Sequence, residues 1–498
     1  MKRFTSTFAG FAAVLSVASF MLFGSCAPQE KTLVFLSTND MHAKIQHFAQ
    51  LAEAVGQCRD TTDMVILTDA GDRWTGNAYV DMADPSGRPI IELMNSLKFD
   101  VATLGNHEFD HGQAHLGKML QMAEFKNVCC NVHTDTCTFP KMDPYWIMEK
   151  GGLKIGFIGA VTNYENNGYP AGQPESFAGI SFTEPQAEVA KYAAELRPKC
   201  DLVVVISHMG DDRDAELLEN HPENLDLILG GHTHEEVNKV INGVQLTQAG
   251  KYMRNIGVTK VRFEGKKIKG VTYEIIPLKN YEPNAEYAAK VEQYMQNEML
   301  NAPVGEFTEK AEKVALANWM ASSITAATHA DFGFYHIGGV RLDGIEKGGV
   351  GTAKFFDLEP FGSKAVTVEM TTEAIRRMII EKYNDKENAK EAHRVDLYSP
   401  MPYTILTDAA DEAVDVAFPC LKAGKTYKVA LPDYVFKTYK ALEYTNPAKT
   451  DVVVAKLLLE NLKRDGKFTP DNEKHQKVEV KKLVNALPLL DVEAPALR

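Results

Sequence analysis

Five apolar runs of strand length recur in the first half of the chain, and each ends in a short polar cluster. Leu33 to Leu36 leads to Asp40-Met41-His42, and Met64 to Leu67 leads to Gly71-Asp72. Val101 to Leu104 runs into Gly105-Asn106-His107-Glu108, Leu202 to Ile206 into Ser207-His208, and Leu225 to Leu229 into Gly231-His232-Thr233-His234. Between them lie helical patterns: His47 to Cys58, rich in Ala and Leu, and Glu184 to Leu196, apolar near i, i+3, i+4. Such alternation from about Leu33 to Pro277 predicts an α/β layered domain. Open α/β sheets place their ligands beyond the carboxyl ends of the strands, so the five clusters are expected to converge.

After His234 the pattern changes to short strands, Val244 to Gln248, Ile256 to Phe263 and Val271 to Ile276, separated by Gly-containing turns as in antiparallel hairpins. Asn284 to Leu300 is polar and helical in propensity, and predicts one bridging helix that Asn301-Ala302-Pro303 ends. A second α/β unit follows, with a helix over Ala315 to Thr328 and strands at Ala365 to Met370 and Tyr427 to Leu431. The expected organisation is residues 1–26 as an export signal, 31–280 as the first domain, 281–304 as the linker helix, 305–487 as the second domain and 488–498 as a frayed tail.

The first residues carry the order of a signal peptide: basic Lys2 and Arg3, an apolar run from Phe8 to Phe23, then Gly24, Ser25 and Cys26. Small residues before a cysteine resemble a bacterial lipoprotein box, with Cys26 the lipidated residue. No later stretch is long and apolar enough to cross a bilayer. The expectation is an exported, periplasmic or outer-membrane lipoprotein, tethered by acyl chains alone. The remaining cysteines include no CxxC pair, which argues against a thiolate zinc site. Cys129 or Cys130 with Cys137 would make a short loop closure, although buried thiols are the favoured reading. A net charge of -13 argues against a nucleic-acid polymer as partner. Nothing in the sequence points to a protein partner, and the expected ligand is a small phosphate ester.

Taken singly, Asp72 after Gly71 is turn chemistry and Asn106 an Asx-turn residue. As an ordered set at five strand ends they resemble the calcineurin-like metallophosphoesterases. The longer forms Ser37-Thr38-Asn39-Asp40-Met41-His42 and Gly105-Asn106-His107-Glu108-Phe109-Asp110 resemble the 5′-nucleotidase / UDP-sugar hydrolase branch. The resemblance implies a four-layer β-sandwich flanked by helices, followed by a C-terminal α/β 5′-nucleotidase-type domain. It implies two divalent ions, of Zn, Mn, Fe or Co. One would be held by Asp40, His42 and His234, the other by Asn106, His208 and His232, with Asp72 bridging. His107, oriented by Asp110, would be the catalytic histidine beside the leaving group. The implied reaction is in-line hydrolysis by metal-hydroxide attack on nucleoside 5′-monophosphates. The alternatives are UDP-sugar, cyclic-nucleotide or sugar-phosphate hydrolysis, or a catalytically weak surface nucleotide-binding lipoprotein. His47, His111, His115, His133 and His221 lack such context and are expected at the surface or behind the ligands.

In the second half, His336-Ile337-Gly338-Gly339-Val340-Arg341 resembles the Asn-x-Gly-Gly-x-Arg motif of the 5′-nucleotidase C-terminal domain, with His336 in place of Asn. Pro360-Phe361-Gly362 resembles the Pro-Phe-Gly element that follows it. Gly338 and Gly339 would let backbone approach a substrate, and Arg341 would clamp a phosphate. The family's Gly-Gly-Asp-Gly-aromatic element is missing; the matching region reads Leu431 to Tyr439. Tyr403, Phe436 and Tyr439 are then the candidates for stacking a base, with Tyr403 and Tyr439 placed in the expected substrate site.

Overall fold

The computed structural model describes residues 30–134, 139–165, 167–385 and 395–481. The expected signal, Cys26 and Cys137, and the tail from 482 onward lie outside them. Among the described residues no helix is long and apolar enough to cross a membrane, and Cys58, Cys129, Cys130, Cys200 and Cys420 are free thiols.

The first domain is built on strands β1 (Glu30–Thr38), β2 (Val65–Asp69), β3 (Val101–Ala102), β4 (Lys126–Asn127), β5 (Tyr145–Lys150), β6 (Leu153–Val161), β7 (Leu202–His208), β8 (Leu227–Leu229), β9 (Glu236–Ile241), β10 (Val244–Ala249), β11 (Asn255–Glu264) and β12 (Lys267–Pro277). They form two six-stranded sheets, in the order β12-β11-β1-β2-β3-β4 and β9-β10-β8-β7-β6-β5. Pairing is parallel from β1 to β4 and among β6, β7, β8 and β10, with antiparallel strands at the remaining positions.

The apolar runs are continuous because both faces of each central strand are buried. Leu33 and Phe35, Ile66, Phe157, Val204 and Leu229 point into the space between the sheets. Their neighbours Val34 and Leu36, Val65 and Leu67 point outward onto helices α1 (Phe48–Thr61) and α2 (Arg88–Leu97). On the other sheet Val203, Val205 and Ile228 pack outward against the helix Pro185–Leu196. Helix, sheet, sheet and helix make the four layers.

The polar stretch expected as one bridging helix forms two. Helix α3 (Ala285–Met295) lays Tyr287 and Val291 into the first domain's core, and Tyr287 stacks on Phe48 at 5.9 Å. A separate short helix, Glu298–Asn301, starts from the Asn297 cap. The sparse apolar positions of α3 are thus a docking stripe rather than a solvent-spanning face. In the second half a four-stranded sheet runs Phe332–Gly333, Thr426–Pro432, Lys364–Thr371, Thr445–Val453. Helices Lys313–Thr328 and Val454–Asp465 share one core, and Thr372–Asn384 packs in another.

At the carboxyl ends of β1, β2 and β8 the backbone bends sharply. Asp40, His42, Asp72, His232 and His234 all have positive φ, between 44° and 87°. Neighbouring loops hold these conformations: the amide of Asp40 donates to Gly71 O at 3.0 Å, and that of His42 to Asp72 O at 2.9 Å. A Cβ on Gly71 would meet the Gly105 amide at 2.4 Å, so backbone packs directly on backbone.

Two outcomes are expected. Phe157, fully buried between the sheets beside Phe35, costs about 3–5 kcal/mol when replaced by Ala, measured as lost stability in urea. In metal-free protein His234→Gly is more stable than His234→Ala by about 0.5–1 kcal/mol, because Ala bears the left-handed strain that Gly escapes. An Ala variant equal to or better than Gly in chemical denaturation would show that this φ is not enforced.

Candidate active site

The seven expected donors meet in one place. Asp40 Oδ1 lies 3.5 Å from His234 Nε2 and 3.9 Å from His208 Nε2, and Asp72 Oδ2 lies 3.2 Å from His208 Nε2 and 3.8 Å from His42 Nε2. His232 Nδ1 is 3.2 Å from Asn106 Oδ1. Three triads, Asp40-His42-His234, His42-Asp72-His107 and Asp40-Asp72-His208, keep their donor atoms within 4.8 Å of one another. Asp72 belongs to two of the three.

The imidazoles are oriented from behind. His42 Nδ1 faces Thr75 O at 3.1 Å and His208 Nδ1 faces Ala70 O at 2.7 Å, so each donates outward and keeps Nε2 for the cluster. Burial works against charge on His208, but the Asp72 and Asp40 carboxylates outweigh it and raise its pKa to about 10, so its buried Nε2 holds a proton where a cation would sit. A buried nitrogen beside two carboxylates is what a cation site requires, and the mixed nitrogen and oxygen set fits a borderline divalent ion that would displace that proton. Burial works against charge on Asp72, but the His208, His107 and His42 rings outweigh it and hold the carboxyl well below its usual value. Burial dominates at Asp40 and raises it.

The loops are fastened by a residue quoted only as part of a motif. Glu108 is fully buried, and its carboxylate accepts from the amides of Asp72 (2.8 Å), Arg73 (2.9 Å) and Gly105 (2.5 Å). Arg73 runs beneath, its Nε 3.2 Å from Asp69 and 3.7 Å from Glu108. Asp72 Oδ1 in turn accepts from the His107 amide at 2.9 Å. The two strand ends therefore move as one piece.

His107 Nδ1 and Asp110 Oδ2 are 2.8 Å apart. Burial disfavours the charged ring, yet the Asp110 and Asp72 carboxylates overcome this and raise its pKa above the usual value. Its other face is covered from the second half of the chain: Phe361 stacks on it at 5.6 Å and 20°. Arg341 lies 5.7 Å from the same Phe361 ring, with Nη2 3.0 Å from His42 Nε2.

A cleft of about 1030 Å³ opens from this cluster between the two halves. Gly338, Arg341 and Tyr439 line it. Gly339 lies behind, where a Cβ would meet His336 Cε1 at 2.5 Å. Tyr403 does not belong to the site. It is 1% exposed, inside the second domain's core, with its hydroxyl donating to Leu397 O. Its strand, Tyr403–Thr407, alternates buried and half-buried positions, and Tyr403 falls on the core face. Phe436 likewise packs against that core and Tyr444. The aromatic wall is instead Tyr434, stacked on His336 at 4.8 Å and 20°. Burial pushes the His336 imidazole down to about 4, so it is a neutral ring. Lys251 and Lys313 add positive charge to the cleft beside Arg341.

Glu165 and Tyr434 carry contacts that the sequence did not single out, and Phe361, quoted there only within the Pro360-Phe361-Gly362 element, is the ring that stacks on His107. Glu165 had a usable signal: it follows β6, a parallel strand whose carboxyl end faces the same cleft. Of the other histidines, His111 lines the cleft, while His115 is tied to Ser86 O.

The profile of the calcineurin-like phosphoesterases matches residues 33–236, and that of the 5′-nucleotidase C-terminal domain matches residues 298–443. Endonuclease YhcR of Bacillus subtilis is 28% identical over 408 residues, 71% of this chain, but the chain spans only 33% of that protein. A 5′-nucleotidase of Vibrio cholerae is 26% identical over 444 residues, covering 73% of this chain and 79% of the relative. In fold, the crystal structure of a 5′-nucleotidase precursor from Thermus thermophilus superposes with a TM-score of 0.78 at 21% identity, over 91% of this chain and 100% of that one. With both domain profiles matched in series and the donors gathered at the strand ends, the chain belongs to the calcineurin-like phosphoesterases that carry a 5′-nucleotidase C-terminal domain, a family of metal-dependent phosphoester hydrolases.

Proposed function

We propose that this protein is a dinuclear phosphohydrolase of small phosphate monoesters, nucleoside 5′-monophosphates foremost. The observation that carries this reading is the placement of the His107–Asp110 pair beside Asp72 and beneath Phe361, at the mouth of a cleft that Arg341 enters from the other domain. The name of the Vibrio cholerae relative supports the choice of substrate. Asp40, His42 and His234 would hold one ion, Asn106, His208 and His232 the other, and Asp72 would serve both. Such a pair, when bound, supplies Lewis acidity and a water acidified toward neutral pH.

The chain's own groups do the rest. Asp110 accepts the Nδ1 proton of His107 and fixes the ring, leaving Nε2 to hold a proton for the departing alkoxide. The Phe361 ring covers His107 and keeps water off one face. Arg341 and the cleft lysines offset the negative charge of a phosphoryl group. Tyr434, backed by His336, offers one aromatic face to the remainder of the ester. A binding protein without catalysis would not need His107, Asp110 and a complete donor set together.

The test is turnover with added divalent ion against AMP, UDP-sugars, cyclic nucleotides and glycerol or sugar phosphates. AMP is expected to give the highest kcat/KM, and preference for glycerol phosphate would sink the nucleotide assignment. His107→Gln lowers kcat about 10²- to 10⁴-fold with metal content unchanged, as measured by elemental analysis of the same sample. Arg341→Ala raises KM for the same substrate more than it lowers kcat; the reverse split would remove Arg341 from substrate binding.

A further inference from the structure

Three of the cluster imidazoles lean the nitrogen turned away from the expected ion on a partner that is not itself an expected ligand. For His42 and His208 that support is a neutral backbone carbonyl, of Thr75 and of Ala70. His232 differs. Its Nε2 lies 3.0 Å from Oε1 of Glu165, a carboxylate, while its Nδ1 faces Asn106 Oδ1 at 3.2 Å. Glu165 is itself held: the Thr162 hydroxyl donates to Oε1 at 2.6 Å, and both Glu165 and His232 are only 21% exposed. Glu165 reaches this position from the end of β6, a strand that carries none of the expected ligands.

We propose that Glu165 is a positioning residue that fixes the Nε2–H form of His232, aims its Nδ1 lone pair alongside Asn106, and so sets the affinity of the second ion site independently of the first. A carboxylate behind a ligand imidazole locks the tautomer and raises the basicity of the inner nitrogen, which a carbonyl does less strongly. Glu165 bonds to Thr162 and to the His232 ring, whereas Asp40 meets His232 through its backbone amide, at 2.9 Å. The inference rests on the dinuclear reading above, and extends it by making the two sites unequal for a reason written into this chain.

The experiment titrates metal-free wild type, Glu165→Gln and Glu165→Ala with cobalt(II) against a competing chelator, following the visible absorption of the bound ion. Wild type is expected to load in two steps. In Glu165→Ala one step weakens about 10- to 100-fold and its absorption band shifts, in Glu165→Gln the loss is smaller, and the other step is unchanged in both. Thermal unfolding of the metal-free proteins separates this from misfolding, and Gln, which keeps the shape and an acceptor oxygen, carries the test if Ala does not fold. Two wild-type steps that persist unweakened in both variants overturn the role of Glu165 alone. A single wild-type step overturns the dinuclear reading, and this inference with it.

Discussion

The buried carboxylate of Glu108 is the fastening on which the site depends. Left-handed backbone is costly for residues with side chains, and five of the seven donor residues adopt it. Such conformations persist only where the surroundings leave no alternative. Glu108 provides that constraint at Asp72 by taking three amide protons from two strand-end loops at once, with Arg73 and Asp69 closing the network below, and the Asp40 and His42 amides bond in turn to the Gly71 and Asp72 carbonyls. Without it, three buried N–H groups would lose their partner, each worth about 1–3 kcal/mol. The donor geometry is therefore enforced by polar groups that touch no ligand.

The sandwich gives that network something rigid to hang from. Side chains of the two sheets interdigitate on one face and grip helices on the other, so the ends of β1, β2, β3, β7 and β8 cannot shift separately. The second domain adds a different kind of element: Arg341 and Phe361 arrive from outside the sandwich and lie directly on its histidines. In the proposed reading, cation binding falls to the stiff part of the molecule and substrate recognition to the seam.

Most of this was legible in the sequence where a local signal and a geometric rule coincide. The apolar runs gave the strands, and the strand-end rule gathered Asp40, His42, Asp72, Asn106, His208, His232 and His234. The failures have physical causes. Tyr403 was drawn toward the cleft by its chemistry, but strand alternation turns it into the core, a parity that a weakly patterned strand does not reveal. The stretch after Asn284 looked like a free bridge because two buried residues in eleven are too few to register as a face. Tyr434 and Phe361 matter through partners far away in the chain, His336 and His107, and no periodicity carries such pairings. Glu165 was missed because the sixth strand end was not counted.

The ring of Phe361 joins His107 of one domain to Arg341 of the other, and this has a consequence for how the molecule works as a machine. His107 lies under the Phe361 ring only while the halves keep this arrangement. Any rotation that widens the mouth to exchange substrate for product also uncovers the imidazole and rewets it. Under the proposed mechanism, chemistry would need the halves docked and exchange of substrate would need them apart, and the Phe361 contact is what distinguishes the two arrangements.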